Sequence, residues 1–348
     1  MAELLFGNRA VKLGVGMAAL LVAGVVPAFI DNLSIRSDAA LAVMFALAIL
    51  SVVILTGYVG QVSLCQGTFM GISAFATGWL VNSGLNYWLG AAVGIVLAFF
   101  LGVLVGIPAL RLRGILLAIV TVGVALSFDY FFFQDTSLAW FNGGNAGWAV
   151  DSASLFGLAM DSIHPDAVLH AYWLLLAVFA IVAVLVVNMH DSGSGRRFRA
   201  IRDSELAAAT MGVNLTRYKL LGFGLSAAVA GIAGAFYPLV VGRVSPQPFS
   251  FFYSLQFAGF AVLMGVRFVP AAAIAGIFMS FVPEFLINLS HWTHRDISYN
   301  YFNIVLGALL VVQIITAPDG VWGDLAARIG HLRPQPVRPA KPSKVITT

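Results

Sequence analysis

Residues able to hydrogen-bond a polar solute are sparse in this chain, and the densest set lies in "GQVSLCQGTFMGIS", Gly60–Ser73. Gln61, Ser63, Gln66, Thr68 and Ser73 are its polar members. If the stretch is helical, Ser63, Gln66 and Ser73 stand at i, i+3 and i+10 and share a face. Gln and Ser on one face can line a route for a polar solute, while Gly67-x-x-x-Gly71 allows close helix packing. The two roles are compatible. Two acids lie inside apolar stretches, Asp129 in "SFDYFFF" and Glu284 in "VPEFL". Ionisable side chains at such places are functional suspects, or else they bond one span to another.

Chemistry of other kinds finds no support. No Gly-x-x-x-x-Gly-Lys-Ser/Thr loop occurs, and the four lysines (Lys12, Lys219, Lys341, Lys344) follow no Gly-rich turn. The chain therefore lacks the usual cradle for nucleotide phosphates. The single cysteine, Cys65, leaves no disulfide or cysteine-cluster metal site within the chain. His291 and His294, spaced i,i+3 beside Arg295, read as loop polarity rather than a metal site. No catalytic constellation can be argued from spacing, so neither catalytic nor metal residues are assigned.

What must position the polar set is a membrane bundle. Apolar residues make up 60 % of the chain, charged residues 10 %, and the mean hydropathy is +0.94. A soluble domain carries about 25 % charged residues. Windows of about 20 apolar residues, the length that crosses ~30 Å of hydrocarbon, fall near 12–30, 39–56, 62–81, 87–107, 114–133, 170–189, 218–241, 251–266, 269–289 and 301–316. The expected fold is all-α and polytopic, with about ten transmembrane helices. The first apolar run, Leu13–Ile30, is too long for a signal peptide core and ends in Pro27-Ala28-Phe29-Ile30, so it reads as an uncleaved span.

Basic residues orient the bundle. With the N-terminus inside and sides alternating, the inner face receives all of the nineteen Lys and Arg except Arg36, Arg243 and Arg295. That is the positive-inside asymmetry, and it places both termini in the cytoplasm. The organisation expected is a first span and external turn over 1–38, a permeation unit over 39–323, and a basic disordered tail over 324–348. The outer loop, 134–170, has four aspartates, no Lys or Arg, and a turn-forming "NGGNAG" with Gly143, Gly144, Asn145 and Gly147.

One inner segment, 190–217, breaks the apolar text. Arg196, Arg197, Arg199 and Arg202 precede Glu205-Leu206-Ala207-Ala208-Ala209, and Gly212 and Asn214 follow. Anionic lipid accounts for the arginines. It does not account for a short Ala-rich helix with a glycine stop, whose slim backbone can approach another protein closely. Composition leaves lipid contact and protein docking both open.

Here a resemblance becomes specific. Gly195–Tyr237, "GRRFRAIRDSELAAATMGVNLTRYKLLGFGLSAAVAGIAGAFY", resembles the cytoplasmic loop and following span of permeases of branched-chain amino acid ABC importers. "GYVGQVSLCQGTFMGISAFATGWL", "RLRGILLAIVTVGVAL", "NGGNAG", "VPEFL" and "PDGVWG" resemble further blocks of that family, in order, over about Ala39–Gly323. The likeness departs in placing Leu206 where the acid of the general coupling motif stands, in Cys65-Gln66 for an expected Gly-His, and in "LMGVRFVPAAAIAG", which lacks a double glycine.

The resemblance implies a transmembrane permease subunit, not an enzyme, in the inner membrane of a bacterial cell. It implies an ATPase-coupling helix comprising Arg202, Glu205, Leu206, Ala207, Ala208, Ala209 and Gly212. Translocation-path candidates are Gln61, Ser63, Gln66, Thr68, Asp129 and Glu284. The implied partners are a second permease, forming a heterodimer, two ATP-hydrolysing subunits that bind ATP and Mg, and an extracytoplasmic substrate-binding protein. No cofactor is held by this chain and no nucleic acid is involved. Leucine, isoleucine or valine is the implied cargo; urea, short amides or other amino acids are the alternatives. An ATP-independent secondary transporter or channel is the rival class, and it would need ion-coupling charges near midplane.

Overall fold

The computed structural model describes residues 27, 32–112, 114–150, 153–155, 158–293, 300–316 and 320–321. The expected first span and the basic tail lie outside these, apart from Pro27. Helix α1, Leu33–Val52, continues as a π-helical turn to Val59. It starts at Leu33, ahead of the expected boundary at Ala39, because Asn32 caps it by accepting from the Ser34 amide at 2.9 Å. Then follow α2, Gln66–Asn82, α3, Tyr87–Ala109, and α4, Ile115–Phe128, which also ends in a π-helical turn, Asp129–Phe133. A short helix, α5, Ala139–Asn142, and three strands, β1 Trp148–Ala149, β2 Ala153–Leu155 and β3 Leu158–Met160, form the next connection. Helix α6, Pro165–Asp191, leads into two small helices, α7 Gly193–Asp203 and α8 Glu205–Thr210. The chain closes with α9 Leu215–Val241, β4 Arg243–Val244, α10 Phe251–Met264, α11 Val269–Thr293 and α12 Asn300–Thr316.

Among the described residues, five helices are long and apolar enough to cross a membrane: Leu33–Val59, Tyr87–Ala109, Ile115–Phe133, Pro165–Asp191 and Leu215–Val241. Of the remaining apolar windows, 62–81, 251–266, 269–289 and 301–316 coincide wholly or in part with helices, and 12–30 lies outside the described residues. Small residues make the interior possible. A Cβ at Gly234 of α9 would fall 1.9 Å from the Met70 carbonyl oxygen of α2, and one at Gly102 of α3 would fall 2.3 Å from Ala227 Cβ. The Ala/Gly ladder of α9 is thus a packing surface, and α1 and α9 form the buried centre of the bundle.

The two ends of the bundle are distinct. At one, Asn82 donates to the Ala149 carbonyl at 2.9 Å, Trp88 Nε1 to the Ser154 carbonyl at 2.9 Å, and β1 pairs antiparallel with β4. At the other lie Gly57, Arg202 and Glu205. Alternating spans require this grouping of connections.

Candidate functional site

The expected span at 62–81 is not one helix. Gly60, in the left-handed region at φ 77°, terminates the α1 span, and helix resumes only at Gln66. Ser63 therefore sits outside the helix, and the shared face expected for Ser63, Gln66 and Ser73 does not form. Non-helical backbone inside a bundle must find partners in protein. The Gln61 amide donates to the Leu55 carbonyl at 3.1 Å, Thr56 Oγ1 to the Gln61 carbonyl at 3.3 Å, and the Leu64 amide to Thr121 Oγ1 at 3.1 Å. Residues 57–65 form a largely buried elbow, with Gly60 and Val62 exposed, rather than a loop in solvent.

Beyond the elbow, Gln66 is fully enclosed. Ser51 Oγ donates to its Oε1 at 3.1 Å, and its Nε2 donates to Ser226 Oγ at 3.3 Å. Ser226 in turn donates to the Ser51 carbonyl at 2.7 Å. One glutamine thus ties α2 to the last turn of α1 and to the middle of α9. Ser51, Ser226 and Ser254 escaped sequence reading because a lone serine in an apolar span carries no spacing signal.

Helix α10 begins where α2 begins. The Gly67 amide donates to Ser254 Oγ at 2.9 Å, and Asp129 Oδ2 accepts from the Phe251 amide at 3.4 Å. Asp129 also accepts from Gln134 Nε2 at 2.7 Å. The acid therefore lies at the positive end of α10, where a carboxylate is favoured. Helices α2 and α10 run in opposite directions from this junction, α2 toward Ala149 and α10 toward the elbow, where a Cβ on Gly57 would strike the Val266 carbonyl oxygen. Thr68 and Ser73 are buried, and their hydroxyl oxygens have no hydrogen-bond partner. Glu284 is elsewhere, half-buried on α11, one turn past Ser280, which donates to the Asp38 carbonyl at 2.7 Å.

The segment expected at the inner face is more structured than the sequence suggested. It spans 192–214, and the arginines form a helix of their own, α7. Ser204 Oγ caps α8 by accepting from the Ala207 amide at 3.3 Å. The expected stop holds: α8 ends at Thr210, with Gly212 at φ 80°. Of the alanines, Ala208 is fully buried against this chain and offers nothing to a partner. Ala207 and Ala209 are exposed, flanked by Leu206 at 77 % and Met211 at 69 % exposure. Glu205 is turned inward. Its Oε1 lies 2.7 Å from Nζ of Lys219, a buried residue of α9 that sequence reading passed over. Gln61 Nε2 donates to the same oxygen at 3.4 Å, and Arg202 donates to the Gly57 carbonyl at 2.9 Å.

At the opposite end, Gly143, Gly144 and Gly147 all adopt positive φ. Asn145 completes the turn between the last two. The organiser is buried Asn142, whose Nδ2 donates to the carbonyls of Phe132, Phe133 and Asp135 and whose Oδ1 accepts from the Gly144 amide. A Cβ on Gly147 would lie 1.9 Å from the Val244 carbonyl oxygen, so the glycine lets β1 close against β4. A cavity of about 310 Å³ opens here, lined by Phe133, Gln134, Gly144, Pro246, Gln247 and Ser250.

The sequence aligns with characterised proteins over most of its length. Residues 34–314 match the family described as "Branched-chain amino acid transport system / permease component". The chain is 28 % identical over 331 residues to the "High-affinity branched-chain amino acid transport system permease protein LivM" of Escherichia coli (strain K12), covering 89 % of this chain and 75 % of that protein. It is 27 % identical over 338 residues to LivM of Salmonella typhimurium, with the same coverage. The LivH permease protein of Salmonella typhimurium is 27 % identical over 179 residues, 51 % of this chain and 53 % of its own. No solved structure matches. From α1 to α12 this chain belongs to the family of permease components of branched-chain amino acid transport systems.

Proposed function

We propose that this chain is one permease subunit of an ATP-driven importer, which carries leucine, isoleucine or valine across a bacterial inner membrane. It pairs with a second permease, receives substrate from an external binding protein, and is driven by two ATP-hydrolysing subunits that bind ATP and Mg. The full topology has about ten spans, with both termini cytoplasmic.

The observation that carries this reading is the outer face of α8. Leu206 and Met211 are large apolar side chains held open on a short helix outside the apolar spans, with Ala207 and Ala209 between them. Exposed apolar groups on a water-facing element mark a docking surface. The inner side of the same helix is fixed by Glu205 to Lys219, so the surface is presented rigidly. A partner seated there can transmit rigid-body motion to the spans. Thr68 and Asp129 flank the meeting of α2 and α10, and the route is drawn past them; shortened helices meeting inside a bundle frame substrate sites in other transporters. Gln61, Ser63, Gln66 and Glu284 support that route from the elbow and from α11. The outer cap built on Asn142 and Gly147 is where the binding protein delivers.

Co-expression with the partner subunits, purification in mild detergent and reconstitution test this. Retention of an ATPase pair and ATP-dependent accumulation of labelled leucine are expected. A chain that purifies without an ATPase, or vesicles that equilibrate leucine without ATP, would refute the proposal.

A further inference from the structure

The α7–α8 segment is not merely adjacent to the elbow; the two are joined at three points, two through Arg202 of α7 and one through Glu205 of α8. Arg202 of α7 reaches across to the Gly57 carbonyl at 2.9 Å, and its aliphatic stem covers Gly60, where an added Cβ would lie 2.5 Å from Arg202 Cγ. Glu205, the first residue of α8, receives Gln61 at 3.4 Å and Lys219 at 2.7 Å on one oxygen. Lys219 is 1 % exposed and Glu205 12 %, so this pair is shielded from salt and water. Gln61 Oε1 has no partner, so the Glu205 contact is the side-chain hydrogen bond that orients this amide.

We propose that the Glu205–Lys219 pair is a clamp making α8, the elbow and the first turn of α2 one mechanical unit. The inference rests on the permease reading above and goes beyond it by naming what transmits the motion. The elbow is short: from Gln61 the chain reaches Gln66, the residue bonded to Ser51 and Ser226 in the middle of the bundle. A displacement of α8 by an ATPase is therefore delivered to the start of α2 through Glu205 and Gln61. Lys219, rooted in α9, keeps the carboxylate from swinging toward solvent. A buried charge pair is well suited to this task, since its directional contacts fix one register where apolar packing would tolerate sliding. Lys219 is a positioning residue. It need not touch substrate or nucleotide.

Spatial adjacency alone does not establish coupling, so the test replaces the polar clamp by a covalent one. In a Cys65→Ala background, the variant Gln61→Cys/Glu205→Cys/Lys219→Met is reconstituted with its partners and treated with a short bifunctional thiol reagent. Before crosslinking, leucine taken up per ATP hydrolysed is expected to fall about tenfold, within the usual range of a coupling between sites. Crosslinking should restore most of the loss, a recovery that a purely structural role for Lys219 does not produce. Lys219→Arg, which keeps the charge, should retain more transport than Lys219→Met. If the triple variant does not reach the membrane, Gln61→Cys/Glu205→Cys with Lys219 intact takes its place, and uptake must survive the crosslink. Loss of uptake on crosslinking, or full uptake per ATP in Lys219→Met, would overturn the clamp while leaving the permease reading in place. A parental complex that neither holds an ATPase nor accumulates leucine removes both.

Discussion

Gln66 Nε2, at the start of α2, lies 3.3 Å from Ser226 Oγ in the middle of α9. The two are 160 positions apart in the chain, and Ser51 of α1 completes the set from a third helix. Replacing Gln66 by Leu keeps the volume and removes the amide that links the two hydroxyls, although Ser51 still donates to the Ala48 carbonyl at 2.6 Å and Ser226 to the Ser51 carbonyl at 2.7 Å. A hydrogen bond typically contributes about 0.5–1.5 kcal/mol. Gln66→Leu should lower the thermal midpoint of the purified protein and reduce leucine uptake. An unchanged midpoint would show that the triad contributes nothing to the packing of α2.

The two faces of α8 should respond oppositely to charge. Leu206→Glu places a carboxylate on an exposed face, where surface changes usually stay within about 0.5 kcal/mol, so stability should hold. ATPase retention during purification should fall sharply. Ala208→Glu forces a charge into a site with 0 % exposure, and the chain itself should be destabilised. Comparing melting and pull-down for both variants checks this; equal effects on both readouts would contradict the assignment of faces.

The cap at the Ala149 end of the bundle depends on Asn142. Asn142→Asp removes the Nδ2 donor shared by three carbonyls and sets a carboxylate against them. The turn carrying Gly143 and Gly144 should loosen, with faster amide exchange over 132–150 and weaker docking of the external binding protein. Retained docking with accelerated exchange would separate the cap from delivery.

Gly147→Val should be more damaging than Gly144→Val. Both glycines have positive φ, but a Cβ at Gly147 lies 1.9 Å from the Val244 carbonyl oxygen, whereas at Gly144 the nearest atom is Ala139 Cβ at 3.6 Å. The first variant must open the β1–β4 pair; the second meets mainly backbone strain, typically of order 1–3 kcal/mol. Surface abundance and uptake in cells should rank in that order.

Orientation is tested with cysteines in a Cys65→Ala background. Thr210→Cys should be protected from an impermeant thiol reagent in intact cells, and Ser137→Cys should react. The reverse pattern would invert the bundle.

The helices were legible because apolar length is a strong signal in lipid, and windows such as 87–107 and 218–241 coincide with α3 and α9. The break in the apolar text at 192–214 was legible through its composition, and the structure places two small helices there. What stayed hidden was tertiary. Ser63 was placed on a helical face because nothing in "GYVGQVSLCQG" distinguishes a helix that continues from one that breaks at Gly60 and restarts at Gln66. Lys219 looked like an ordinary interfacial cation; only the approach of Glu205 gives it a purpose. Asn142 stood beside a glycine run that drew the attention, although the asparagine holds the turn. Ala208 and Ala209 are indistinguishable in sequence and face opposite ways.

The broken entry into α2 also constrains how the protein is made. A ribosome releases the Gly60–Gly67 segment long before it releases Ser226 and Ser254, the residues that accept or donate to Gln66 and Gly67. The second partner trails by 187 positions. At synthesis rates of about 5–20 residues per second, that delay is roughly ten to forty seconds. During it, α2 cannot sit in lipid as a finished span, since the peptide groups at its start lack their final partners. The entry into α2 therefore reaches its final hydrogen bonds only once α9 and α10 have been made, which ties the completion of this early segment to the late part of the chain.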